Sequence, residues 1–118
     1  ELARASTPGG FVRVDATGNP QPACPQAIHG AGSRVTHLAP ADDKNEIIGS
    51  PVVAPGVIRY AMKPLGLCAG ITGARYTTTT EVYPDSPHAT PEQCNAAQVA
   101  AVCAAIDFAL RRAAADRR

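Results

Sequence analysis

Hydrophobic and polar positions divide this chain into a β-patterned upstream part and one long helical stretch near its end. From Thr90 it reads Thr-Pro-Glu-Gln-Cys-Asn-Ala-Ala-Gln-Val and runs on through Cys103 to Leu110 and a pair of arginines. Thr90 suits an N-cap, Pro91 suits the first helical position, and Gln93 is placed to close a capping box. The pattern therefore predicts a helix from about residue 91 to 113. Projected at about 100° per residue, Val99, Val102, Cys103, Ile106, Leu110 and Ala113 share one side. Gln98, Asp107, Arg111 and Arg112 fall outside it. That apolar side is the expected core face. On this reading Ile106→Ala costs roughly 2–5 kcal/mol, and Gln98→Ala stays within about 0.5 kcal/mol.

Upstream, periods are short and broken by proline and glycine. Residues 1–10 read as a flexible tail and residues 11–118 as a single domain. Phe11 to Asp15 alternates like a strand, with Val12 and Val14 on one face, until Thr17-Gly18-Asn19-Pro20 stops it. Residues 20–33 hold three prolines, Cys24 and a run of small residues, and are predicted as a loop tied down through Cys24. Arg34 to Leu38 is a possible short strand. Asp42, Asp43 and Glu46 lack calcium-loop spacing and read as a solvated turn. Ile47 to Val53, broken by Gly49 and Pro51, reads as an edge or bulged strand.

The best strand pair is expected from Val57–Lys63 and Ala74–Tyr83, the second carrying four consecutive threonines. Pro64 to Gly73 would then be the loop between them. It is unusually apolar, with Leu65, Leu67 and Ile71 among glycines and Cys68 near its middle. Held at Cys68, such a loop is a candidate binding element, because a restrained loop loses less entropy on binding. The alternative is that its leucines fill a thin core.

Composition sharpens this picture. The hydrophobic fraction is 45%, but 23 of those residues are alanine, and Val, Ile, Leu and Phe together number 22. A core this thin, with net charge of only +1 and four cysteines, points to covalent staples rather than disorder. An even cysteine count in a short chain fits an oxidising compartment. The chain opens on Glu1 rather than Met and has no apolar run of about 18 residues. The expectation is a mature exported protein, secreted or in the periplasm or cell envelope, without a membrane span.

Helix geometry constrains the pairing of those cysteines. Nine residues apart on one helix, Cys94 and Cys103 stand about 13 Å apart along its axis, beyond the Cα separation of about 7 Å that a disulfide tolerates. Cys103 is therefore predicted to pair with Cys68 and Cys94 with Cys24. The crossed arrangement, Cys24–Cys103 with Cys68–Cys94, is the alternative. Each bridge would contribute about 2–4 kcal/mol.

Catalytic signatures are sparse. Ser50 sits in Ile-Gly-Ser-Pro-Val rather than a nucleophile elbow. The Gly-x-Gly at residues 30–32 has no third glycine or P-loop lysine beside it. Cys24, His29 and His37 match no metal-ligand spacing, and no cofactor or metal is predicted. Cys94, near a helix start with Pro87 and Thr90 upstream, resembles the peroxide-reducing cysteine of peroxiredoxins. That family places threonine three residues before the cysteine and this chain places it four before, so Cys94 is read as a structural half-cystine. His37 or His88 with Glu81 or Glu46, and Arg59 for a phosphate, would make an acid–base set for hydrolysis. Five aromatics and a near-neutral charge argue against a nucleic-acid partner. The terminal arginines suit a helix C-terminus.

The sequence thus predicts an α+β domain: a small antiparallel sheet of three to five strands packed on one long C-terminal helix and stapled by disulfides. Its leading functional reading is a non-enzymatic binding or assembly module that contacts another protein. A small secreted, nuclease-like hydrolase is the competing class. A structural subunit of a larger extracellular or virion assembly is the third.

Overall fold

A computed structural model of the chain describes residues 12–16, 23–67, 71–72, 74–83 and 86–118. In chain order these form β1 (Val12–Ala16), α1 (Ala23–Ser33), β2 (Glu46–Ile47), β3 (Ser50–Ala54), β4 (Val57–Tyr60), the single-turn α2 (Met62–Leu65), β5 (Thr79–Glu81) and α3 (Pro91–Ala115). The fold is α+β, with a sheet and a long C-terminal helix as expected. The tail expected over residues 1–10 lies outside the described residues.

Strands β2, β3 and β4 form a three-stranded antiparallel meander. The β2–β3 turn, Ile48-Gly49, has positive φ at both residues, +54° and +70°. That is the backbone hand a two-residue hairpin turn requires. A register shift between Val52 and Ala54 marks a bulge beside Pro51, in keeping with an edge or bulged strand. β1 then adds to β4 in parallel, and β5 adds to β1 antiparallel, giving the order β2-β3-β4-β1-β5.

The expected hairpin between residues 57–63 and 74–83 is corrected by this order. β1 lies between β4 and β5, so Thr79 and Thr80, the last two of the four threonines, pair with β1 and not with Val57–Tyr60. The sheet is accordingly mixed and not wholly antiparallel.

Two other expectations change. Residues 23–33 are the helix α1, not a loop. A proline near the start of a helix does no harm, because the first N–H groups have no intrahelical acceptor. Arg34 and Val35 form a turn after α1, with only Leu38 in an isolated bridge. The acidic group is the turn expected of it: Asp42 Oδ1 accepts from the backbone N–H groups of Lys44 at 2.9 Å and Glu46 at 2.8 Å.

Helix α3 starts where its cap chemistry places it. The Gln93 N–H donates to Thr90 Oγ1 at 3.2 Å, and the Thr90 N–H donates to Gln93 Oε1 at 2.9 Å. The helix packs mainly on α1 and touches β5. The face it buries is small: Cys94, Ala97 and Ala101 are its buried residues, and Ala97 and Ala101 pack with Ile28 of α1. Val35, Leu38, Tyr76, Val82 and Phe108 close around them, with Phe108 meeting Tyr76 edge to face at 5.6 Å. A second cluster, Ala39, Ile47, Ile58 and Met62 with Val52 and Tyr83, lies under the meander.

This reverses the predicted core face of α3. Val99 is 62% exposed, Val102 58%, Ile106 55% and Leu110 64%. Cys103 is exposed as well. Gln98, expected at the surface, is part-buried: its Nε2 donates to the Thr80 carbonyl at 3.2 Å, and its Oε1 accepts from the Thr80 hydroxyl at 2.6 Å. The earlier ranking of Ile106→Ala over Gln98→Ala falls with that face. Projection finds the most hydrophobic stripe, but it does not know that two helices approach most closely through their smallest residues.

An inner face of alanine makes a size-dependent prediction. Ala101→Leu should destabilise by about 1–3 kcal/mol in chemical denaturation, because there is no room for the added atoms. Ala96→Leu, at an exposed position of the same helix, should stay within about 0.5 kcal/mol. Equal losses would contradict the seam.

Candidate functional site

Among the described residues, the outer face of α3 carries a row of large apolar side chains left exposed. Val99, Val102, Ile106 and Leu110 succeed one another at intervals of three, four and four residues, so they form one continuous row. Cys103 lies along it and Glu92 sits at its N-terminal end. The C-terminal end leads to Arg111, Arg112, Arg117 and Arg118. Asp107 beside the row pairs with Arg111 at 2.7 Å in the solvent-exposed i,i+4 geometry.

The row borders a groove of about 340 Å³ whose lining includes Ile28, Tyr76, Thr78, Ala105, Ile106 and Ala109. Its lining is mostly apolar but also includes Arg75 and Thr77. Tyr76 Oη and Thr78 Oγ1 are buried and lack a hydrogen-bond partner among the described residues. A buried hydroxyl without a partner costs roughly 1–3 kcal/mol relative to one that has found an acceptor or donor. These two oxygens are sealed beneath the groove wall, and what the groove presents is mainly apolar contact. At the groove wall, Arg75 pairs with Asp116, the C-cap of α3, at 3.0 Å in a solvent-exposed contact, with the Arg75 guanidinium 5.3 Å from the Tyr76 ring centre.

Leu65, Leu67 and Ile71, the candidate binding residues of the loop, are all exposed, Ile71 at 75%. They do not fill the core. Leu65 ends α2, and Gly66 follows at φ +60° with its N–H donating back to the helix. The Leu67 N–H reaches the Met62 carbonyl at 3.3 Å. This left-handed cap turns the chain outward. Cys68 lies outside the described residues.

The cysteine expectations meet the structure at two positions. Cys94 is buried and Cys103 exposed, and both are free thiols. No bridge from either to Cys24 or Cys68 is made in this structure, and the Cys24 side chain is not among those described. Cys103 stands on the solvent side of α3, so it is not the core-face residue the sequence suggested.

Of the candidate acid–base residues, the structure brings two together. His37 and His88 meet edge to face at 5.9 Å, with His88 exposed. The backbone N–H of His88, not its ring, donates to Ser86 Oγ at 3.3 Å. Glu81 accepts from the Tyr83 hydroxyl at 3.3 Å. Glu46 is on the edge strand β2 and Arg59 is exposed on β4. Among the described residues, no group of three His, Cys, Asp or Glu side chains is placed to hold a metal ion. Ser50 is buried at the start of β3.

By length and composition alone α3 would suffice to cross a membrane. Its inner face nonetheless packs on α1 through Ala97 and Ala101. A scan against protein-family models finds no match to the chain, and a search of curated proteins finds none either.

Thiol chemistry checks the two cysteines of α3. Under native conditions an alkylating reagent should modify Cys103 promptly, whereas Cys94 should react only on unfolding, since access limits thiol reactivity. Peptide mapping that finds Cys103 blocked in the folded protein would contradict its placement as an exposed free thiol.

Proposed function

We propose that this chain is a non-enzymatic binding or assembly module that presents the outer face of α3 to another protein. The observation that carries the reading is the row Val99, Val102, Ile106 and Leu110, each more than half exposed, on a helix whose buried face is alanine and cysteine. Large apolar side chains gathered into one exposed row are what an interface presents before its partner covers it. Full burial of a Val, Leu or Ile side chain is worth about 1.5–3 kcal/mol, so these four side chains give only part of that while they face water.

The adjoining groove supports the same reading, because a partner side chain entering it would meet the apolar surface of Ile28, Ala105, Ile106 and Ala109. Leu65, Leu67 and Ile71 offer a second, smaller apolar patch. An extracytoplasmic location belongs to the proposal on the strength of the even cysteine count, but a staple through Cys94 or Cys103 does not, because both are free thiols. A structural subunit of a larger extracellular or virion assembly would use the same surface permanently. The competing hydrolase reading draws on the His37–His88 pair.

Replacing Val102 and Leu110 together with serine tests the module. The double variant should keep its melting temperature within a few degrees and lose the proteins that co-purify with the tagged chain. Early melting would make the row part of the core. Undiminished co-purification would place the partners elsewhere.

A further inference from the structure

The row has a spacing that its own copy fits. Glu92, Val99, Ile106 and Ala113 recur every seventh residue, as do Asn95, Val102 and Ala109, with Cys103 and Leu110 flanking. Seven-residue recurrence of two interleaved positions is the pattern by which helices pack knobs into holes. Val99, Val102, Ile106 and Leu110 lie on the side of α3 away from Ala97 and Ala101, which pack on α1, and are more than half exposed. Ala109 is half-buried and, with Ile106, lines the groove shared with residues 74–78.

Charge selects the direction. The N-terminal end of the row carries Glu92, and the chain just past its C-terminal end carries Arg117 and Arg118, while Asp116 beside them is paired with Arg75. Two copies side by side in the same direction would gather the arginines at one end, and like charges repel. Two copies in opposite directions place Glu92 of each against the arginines of the other and oppose their helix dipoles. We propose that the protein forms a two-fold symmetric dimer through antiparallel packing of α3 on the α3 of a second copy. This rests on the reading of the row as an interface and supplies its partner.

The register follows from matching the two seven-residue series. Val102 meets Ile106 of the other copy twice, once on each side of the two-fold axis. Val99 meets Ala109, with Leu110 beside it, so large residues face small ones. A closed two-fold contact uses one self-complementary patch and leaves no free end to propagate. In this arrangement the two Cys103 thiols flank the axis on the same side. In a parallel pair they would lie on opposite sides of the interface.

The test is sedimentation equilibrium of the full chain under reducing conditions, together with cross-linking by a short bis-maleimide. The wild-type chain should sediment as a dimer at concentrations of about 10–100 μM, with a dissociation constant that Ile106→Asp raises at least tenfold, and the reagent should yield a Cys103–Cys103 linked dimer. Should Ile106→Asp not fold, Val102→Ser is the variant to compare, with the same loss expected. A folded wild-type chain that stays monomeric at about 100 μM overturns the dimer and leaves the row open to a different protein. A monomer that co-sediments with phospholipid vesicles overturns it in favour of a membrane surface. A dimer that gives no Cys103 cross-link overturns the antiparallel packing. Monomeric variants that both melt far below the wild type make the row core, which sinks the interface reading as well.

Discussion

The close contact between α1 and α3 decides how the rest of this protein is arranged. Two helices approach most closely where their side chains are smallest, and α3 turns Ala97 and Ala101 to Ile28 of α1. Once alanine occupies the inner side, Val99, Val102, Ile106 and Leu110 have no inner position left. The helix cannot rotate to bury them without lifting away from α1, because the larger side chains would not fit that separation. One packing choice thus accounts both for the thin core and for the exposed row.

The sheet is organised around the same pair of helices. β1 leads into α1, and the chain returns through the β2–β3–β4 meander to lay β4 parallel to β1. β5 then closes the other edge of β1 and ties to α3 through Thr80 and Gln98. These two hydrogen bonds fix the rotation of α3 about its axis, since Gln98 reaches Thr80 only when Ala97 and Ala101 also face inward. Satisfying Gln98 and burying the alanines are one requirement.

Much of the local structure was legible in the residues. The capping box at Thr90 and Gln93 marked the start of α3, and Asp42 marked a turn, because both are side-chain chemistry acting within a few residues. What depended on distant parts of the chain was not legible. Nothing near residues 57–60 says that β1 will come between them and the threonine strand. The run Ala23 to Ser33 looks like a loop because of its proline and glycines, yet it is a helix that packs on α3 through Ile28. The apolar row itself was visible from spacing. Its direction was not, since hydrophobicity alone points large residues inward and only the packing of α1 shows otherwise. For the same reason Leu65, Leu67 and Ile71 read as readily as core as they did as surface.

The central claim is the orientation of α3, with alanine inward and the valine–isoleucine–leucine row outward. Methyl NOEs within one molecule, selected by isotope filtering, measure it directly. The account predicts contacts from the Ile28 methyls to those of Ala97 and Ala101 and none to Val99 or Leu110. Contacts from Ile28 to Val99 and Leu110, with Ala97 and Ala101 silent, would contradict it.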